Sequence, residues 1–149
     1  MLPVGFKQTD TMRGTMRFVK DPERERVFEF TCDYVMNDWA KFVADGTTQL
    51  SGTVRCEGLA RNAAMTGTLR IDPLRSRRLV YEFTFPAAGR KRLRFLGEKR
   101  VDLFDPVASM TTLYGQLFDR DAVIATGVLR FDVKELPAFL LSLRPVKIG

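Results

Sequence analysis

The chain has 149 residues, of which 45% are hydrophobic and 28% charged, and its formal net charge is +6. One domain of this length can bury a sizeable core, so we expect a single domain over residues 1–149. No apolar run approaches the roughly 20 residues of a spanning helix, which predicts no transmembrane segment. The beginning of the chain has neither a basic region nor an apolar region of a signal peptide, so we expect a cytoplasmic protein.

Alternating apolar and polar residues predict about eight antiparallel strands joined mostly by short turns. A lead-in is expected over residues 5–10, a short helix after Asp38, and a second short helix between Pro137 and Leu143. In chain order the predicted strands cover residues 11–20, 26–36, 47–57, 63–72, 78–85, 92–99, 109–119 and 122–131. Regular short strands of this kind are typical of an all-β sandwich or barrel.

One five-residue pattern recurs in four of the predicted strands: glycine, a β-branched residue, an apolar residue, arginine and an apolar residue. Its copies begin at Gly14, Gly52, Gly67 and Gly127. Since side chains alternate along a strand, the glycine and both apolar residues face the interior. Inward glycines mark bends or close approaches, which strands curling around a common centre need. We therefore favour a closed or strongly coiled, lipocalin-like barrel over a sandwich.

Two cysteines, Cys32 and Cys56, fall on inward positions. A hairpin turning near Lys41 would pair Cys32 near Leu50 and leave the thiols roughly 20 Å apart at about 3.3 Å per residue. That separation exceeds disulfide reach. We expect two buried free thiols.

Groups with recognisable chemistry are scarce. The chain contains no histidine, which removes the commonest general base and zinc ligand. It also has no phosphate-binding or dinucleotide-binding glycine motif. We expect no metal, no cofactor and no catalytic residue.

Inward glycines could instead leave room for a small apolar ligand beside large interior side chains. The alternative is that the chain's own side chains fill the barrel. Tyr114 is a candidate at the cavity mouth, although its strand has an ambiguous phase. The candidate ligand-binding residues are Met16, Phe30, Tyr34, Met65, Tyr81, Phe83, Phe95 and Tyr114.

The basic excess lies within residues 75–100, where nine basic and two acidic side chains occur. Arg90, Lys91, Arg92 and Arg94 cluster at a predicted hairpin tip, where they could form a surface for an anionic partner. The neighbouring phenylalanines face inward and cannot stack bases, which disfavours nucleic acid. A solvated hairpin is the simpler interpretation.

Several short segments resemble an all-β module that accompanies cholesterol-oxidase-like members of the glucose-methanol-choline (GMC) oxidoreductase family. Asp10 stands where the family pattern has glutamate, and the flavin-binding and oxidase portions have no counterpart here. The resemblance therefore implies an accessory role, without oxidase activity. The segments that carry it are Gly5-Phe6, residues 9–14, Gly97-Glu98-Lys99, residues 111–114, residues 127–130 and residues 139–144.

Together these features favour a non-catalytic barrel module that binds a small lipid-like or sterol-like ligand or docks on a partner oxidoreductase. Two alternatives stay open: a basic surface module for an anionic partner, and an enzyme that works without histidine.

Overall fold

Nine antiparallel β-strands make up nearly all of the described part of the computed structural model, which covers residues 4–36, 46–72, 78–100, 111–131 and 144–147. Alternating burial along the central strands shows why they form: every second side chain enters a common interior. The strands are β1 Val4–Phe18, β2 Asp21–Met36, β3 Thr47–Cys56, β4 Ala60–Asp72, β5 Arg78–Ala87, β6 Lys91–Arg100, β7 Thr112–Asp119, β8 Ala122–Arg130 and β9 Arg144–Lys147.

The sheet closes on itself. Strands β2 to β8 pair in chain order, and β1 pairs with both β8 and β2, which completes an eight-stranded ring. The long strand β1 pairs with β8 through Arg13–Phe18 and with β9 through Val4–Lys7. The predicted antiparallel barrel is therefore confirmed.

Two details of the prediction were wrong. Residues 5–10 belong to β1 rather than to a lead-in, and β2 begins at Asp21 rather than at residue 26, because the chain already turns at Val19-Lys20. The two predicted helices fall on residues 37–45 and 132–143, outside the described residues. The strand β9 was not predicted, because its four residues are too few to show an alternating pattern.

The two ends of the barrel differ in how the strands are joined. At one end, the turns after β1, β3, β5 and β7 are only two or three residues long. At the other end, connections of at least five residues follow β2, β4, β6 and β8. We call these the tight-turn end and the long-connection end.

The inward glycines allow neighbouring strands to approach closely. A Cβ atom on Gly67 would overlap the Glu82 carbonyl oxygen and lie 2.5 Å from the Cα atom of Phe83 on β5. On β6 and β7, Gly97 and Gly115 are opposite each other, and a Cβ on either would lie 2.6 Å from the Phe95 ring. Glycine is thus needed for strand coiling at the first site and for seating an aromatic ring at the second.

Candidate functional site

Aromatic rings fill the barrel interior toward the tight-turn end. The Phe95 ring stacks on Phe83 with centroids 4.8 Å apart and on Phe28 at 5.2 Å. Phe30 and Phe85 pack against the same group, and all five rings are buried. Offset and edge-on ring contacts of this kind add stability beyond the apolar area they bury. This part of the interior is closely packed by the chain itself.

Three polar side chains meet inside the barrel, nearer the long-connection end. Asp10 of β1 is 2% exposed and Lys99 of β6 is 5% exposed, while Tyr81 of β5 is also buried. The Tyr81 hydroxyl donates to Asp10 Oδ2 at 3.1 Å and accepts from Lys99 Nζ at 3.1 Å. Lys99 Nζ lies 3.6 Å from Asp10 Oδ2. We call Asp10, Tyr81 and Lys99 the polar cluster.

The polar cluster crosses the barrel. Strands β1 and β5 are four strands apart in either direction around the ring, so the hydrogen bond between Tyr81 and Asp10 joins opposite walls. Tyr81 is opposite Gly97 in the β5–β6 ladder, which places Lys99 diagonally across from it on the same face. Lys99 Nζ lies 5.1 Å from the centroid of the Tyr81 ring.

Two buried oxygen atoms in this region have no hydrogen-bond partner among the described residues: Asp10 Oδ1 and Thr48 Oγ1. Thr48 is inward on β3, and its ladder partner Leu69 is in turn opposite Tyr81. Buried oxygens normally find a donor from protein, water or ligand, because an unmade hydrogen bond costs free energy. Asp10 Oδ1 is therefore a buried acceptor in the polar cluster without a donor among the described residues.

The charges of the polar cluster act on a nearby thiol. Cys32 is opposite Asp10 in the β1–β2 ladder and is fully buried. Burial raises the pKa of the Cys32 thiol, the Asp10 carboxylate raises it further, and the Lys99 ammonium partly offsets both. The expectation of two buried free thiols is confirmed. Cys32 is opposite Gly52, two residues along β3 from Leu50.

The predicted ligand-binding residues separate into two groups. Interior positions are occupied by six of them, of which Tyr81 alone belongs to the polar cluster. Tyr114 is 59% exposed on the outer face of β7, because Leu113 and Leu117 take the inward positions there. The side chain of Tyr34, on β2, lies outside the described part. The six interior residues are Met16, Phe30, Met65, Tyr81, Phe83 and Phe95.

The predicted basic patch lies on the outer surface at the tight-turn end, and three of its four residues have partners among the described residues. Lys91 pairs with Asp119 at 3.2 Å, and Arg92 donates to Thr84 at 3.0 Å. Arg94 pairs with Glu82 and covers the Phe118 ring, 4.3 Å from its centroid. Acidic partners therefore compensate the charges of Lys91 and Arg94, whereas Arg92 donates to a neutral hydroxyl.

Sequence reasoning missed Asp10, Thr48 and Lys99, although the signal that could have found them was present. Two-residue alternation back from Met12 places Asp10 inward, and alternation forward from Gly97 does the same for Lys99. Asp10 and Lys99 were missed because charged residues were expected to face solvent.

No known protein-family model, curated protein or solved structure matches this chain. Within the described residues, no helix has the length and apolar character needed to cross a membrane. The same residues contain no group of three or more cysteine or acidic side chains placed to hold a metal ion.

Proposed function

We propose that the chain is a non-catalytic ligand-binding β-barrel that holds a small, mainly apolar molecule in its interior at the long-connection end. The observation that carries the proposal is the polar cluster in a mainly apolar interior, with Asp10 Oδ1 as an acceptor that has no donor among the described residues. Stacked rings fill the tight-turn half, so the proposal assigns the ligand to the side of the polar cluster that faces away from them.

The energetics support a role beyond fold stability. Taking a carboxylate and an ammonium out of water costs several kcal/mol per ion, and good geometry with full hydrogen bonding is needed to compensate. Here one carboxylate oxygen lacks a described donor, and the closest Asp10–Lys99 contact is 3.6 Å. An apolar trio of similar volume would stabilise the barrel as well or better. A bound molecule that completes the hydrogen bonding accounts for the arrangement.

A neutral fluorescent probe, N-phenyl-1-naphthylamine, tests the proposal. We expect saturable fluorescence enhancement with one probe per chain. Thr48→Leu, which extends an inward side chain near the polar cluster, should weaken the binding. The matched control Thr53→Leu changes an exposed position of the same strand and should leave it unchanged. Circular dichroism of both variants checks that the barrel is retained. Absence of saturable binding to the parent protein would overturn the proposed function.

The histidine-free enzyme is the second candidate, since a tyrosine hydroxyl held between a lysine and an aspartate can transfer protons. Mass spectrometry of a displacing ligand such as 1-decanol, recovered after long incubation, separates the two functions. We expect it unchanged, whereas chemical conversion would favour the enzyme. Docking on a partner oxidoreductase stays a prediction that rests on the resemblance.

A further inference from the structure

We propose that the bound molecule presents an uncharged hydrogen-bond donor, such as a hydroxyl group, to Asp10 Oδ1, and that the barrel discriminates against carboxylates and amines of the same length. This inference rests on the proposed ligand-binding function and specifies the polar group of the ligand.

The two oxygens of Asp10 have different surroundings. Oδ2 accepts from the Tyr81 hydroxyl and faces the Lys99 ammonium, whereas Oδ1 receives no hydrogen bond from any described residue. The Tyr81 hydroxyl has one proton, which it donates to Oδ2, and its oxygen accepts from Lys99. An ionised carboxylate is only an acceptor, so Oδ1 can be satisfied only by a donor.

The charge balance selects a neutral donor. A carboxylate ligand at Oδ1 would place two anions together in a region of low dielectric, where repulsion is strong. An ammonium ligand would meet Lys99, which already compensates the Asp10 charge at 3.6 Å. A hydroxyl or a neutral N–H group completes the hydrogen bonding without adding charge.

The naphthylamine probe is displaced at pH 7 by 1-decanol, decanoate or decylamine. Because the three ligands have equal chain length, the experiment compares the affinities of an alcohol, a carboxylate and an amine. A hydrogen bond to a charged group contributes about 1.5–3 kcal/mol, so we expect 1-decanol to bind roughly 10- to 100-fold more tightly than either charged ligand.

The variant Asp10→Asn tests whether the ligand preference can be reversed. The amide oxygen must take the Oδ2 position, where two donors converge, which leaves the NH₂ group in place of Oδ1. With a donor at that point and an uncompensated Lys99, the preference should reverse in favour of decanoate. Asp33→Asn, on the outward phase of β2, is the matched control and should keep the preference for the alcohol.

The outcomes separate the inference from the proposed function. Decanoate or decylamine binding the parent protein as tightly as 1-decanol would overturn the inference while leaving ligand binding established. Unchanged preference in a folded Asp10→Asn variant would also overturn it. Should that variant not fold, the ranking measured on the parent protein decides. Failure of all three ligands and the probe to bind would overturn both.

Discussion

Lys99 is inward on β6 and exposes only 5% of its surface, yet its charge has a partner at 3.6 Å in Asp10. A buried charge of this kind depends on its partner far more than a surface charge does, because water cannot replace the lost interaction. Lys99 and Lys91 allow a buried ion pair to be compared with an exposed one. Both lysines form ion pairs, but only Lys91 is exposed.

We predict that Lys99→Met lowers the free energy of unfolding by about 3–5 kcal/mol, because it leaves the Asp10 carboxylate buried without a counter-charge. The control Lys91→Met removes the surface pair with Asp119 and should cost about 0–1 kcal/mol. Urea denaturation measures both. The double variant Asp10→Leu/Lys99→Met should recover most of the loss. Equal, small effects of the two lysine substitutions would contradict the buried pair.

Cys56 gives a prediction about pH. Burial raises the pKa of this thiol from 9.0 to about 11, and the nearby Arg26 guanidinium partly offsets the effect. The folded protein therefore keeps the thiol protonated at pH values where the unfolded chain has ionised it. This contribution to stability is fully present below pH 9 and is lost as the pH rises toward 11.

We expect the stability difference between the parent protein and Cys56→Ala to fall by about 2–3 kcal/mol between pH 8 and pH 11. Taking the difference cancels the other groups that titrate in this range, Cys32 included. Denaturant unfolding at a series of pH values measures it. A constant difference across the range would show that the thiol is not protected from ionisation.

At the scale of the strand, the repeated glycines control how closely neighbours approach. Gly67→Val is the sharpest test, because its Cβ would meet the backbone of Glu82 and Phe83 rather than a movable side chain. Overpacking typically costs about 1–3 kcal/mol, and we expect the upper part of that range. The melting temperature should fall whether or not the naphthylamine probe is present.

Thr66→Val, at the adjacent exposed position of β4, is the control and should change stability by less than about 0.5 kcal/mol. A different result is expected if Gly67 lines a ligand cavity: valine would be tolerated and would block probe binding. That outcome would contradict the role of glycine in strand coiling.

The strands also show what the sequence can predict. Two-residue alternation was sufficient for the inward phase of β5 and of the glycine repeats, because each strand carries several large apolar side chains on one face. The pairing register between neighbouring strands was harder to predict. Cys32 is paired two residues away from the predicted position, since register depends on the loop after β2 and not on the alternation of the strands.

The site was less predictable than the barrel. Asp10, Tyr81 and Lys99 belong to three strands, and only closure of the ring brings β1 opposite β5 and β6. Alternation indicates which way each side chain points, but it does not indicate which inward positions lie at the same height along the barrel axis. The exposed position of Tyr114 follows the same rule, because β7 carries apolar residues on both faces and its phase is set by its neighbours.

For the whole molecule, the outer surface carries seven ion pairs between described residues, and the basic patch shares two of them. Replacing Arg90, Lys91, Arg92 and Arg94 with glutamine reduces the net charge from +6 to +2. We expect little change in stability, since exposed pairs contribute about 0–1 kcal/mol each.

The same variant tests the anionic-partner alternative on a heparin column at low salt. We expect weak retention of the parent protein and a small difference between the two proteins, because Lys91 and Arg94 already have acidic partners. Strong, salt-sensitive retention that the four substitutions abolish would favour the basic surface module instead.

Closure through β1 has a consequence for the order in which the chain acquires its structure during synthesis. Each strand from β2 to β8 pairs with the strand made just before it, but the partners of β1 on its other side are separated from it by more than a hundred residues. Until β8 has left the ribosome, the growing sheet has two unpaired edges, β1 and the last strand made. Open edges of this kind are templates for aggregation. A chain ending at Asp119 should therefore associate with its own copies, and the addition of β8 should convert an aggregation-prone ribbon into a closed barrel.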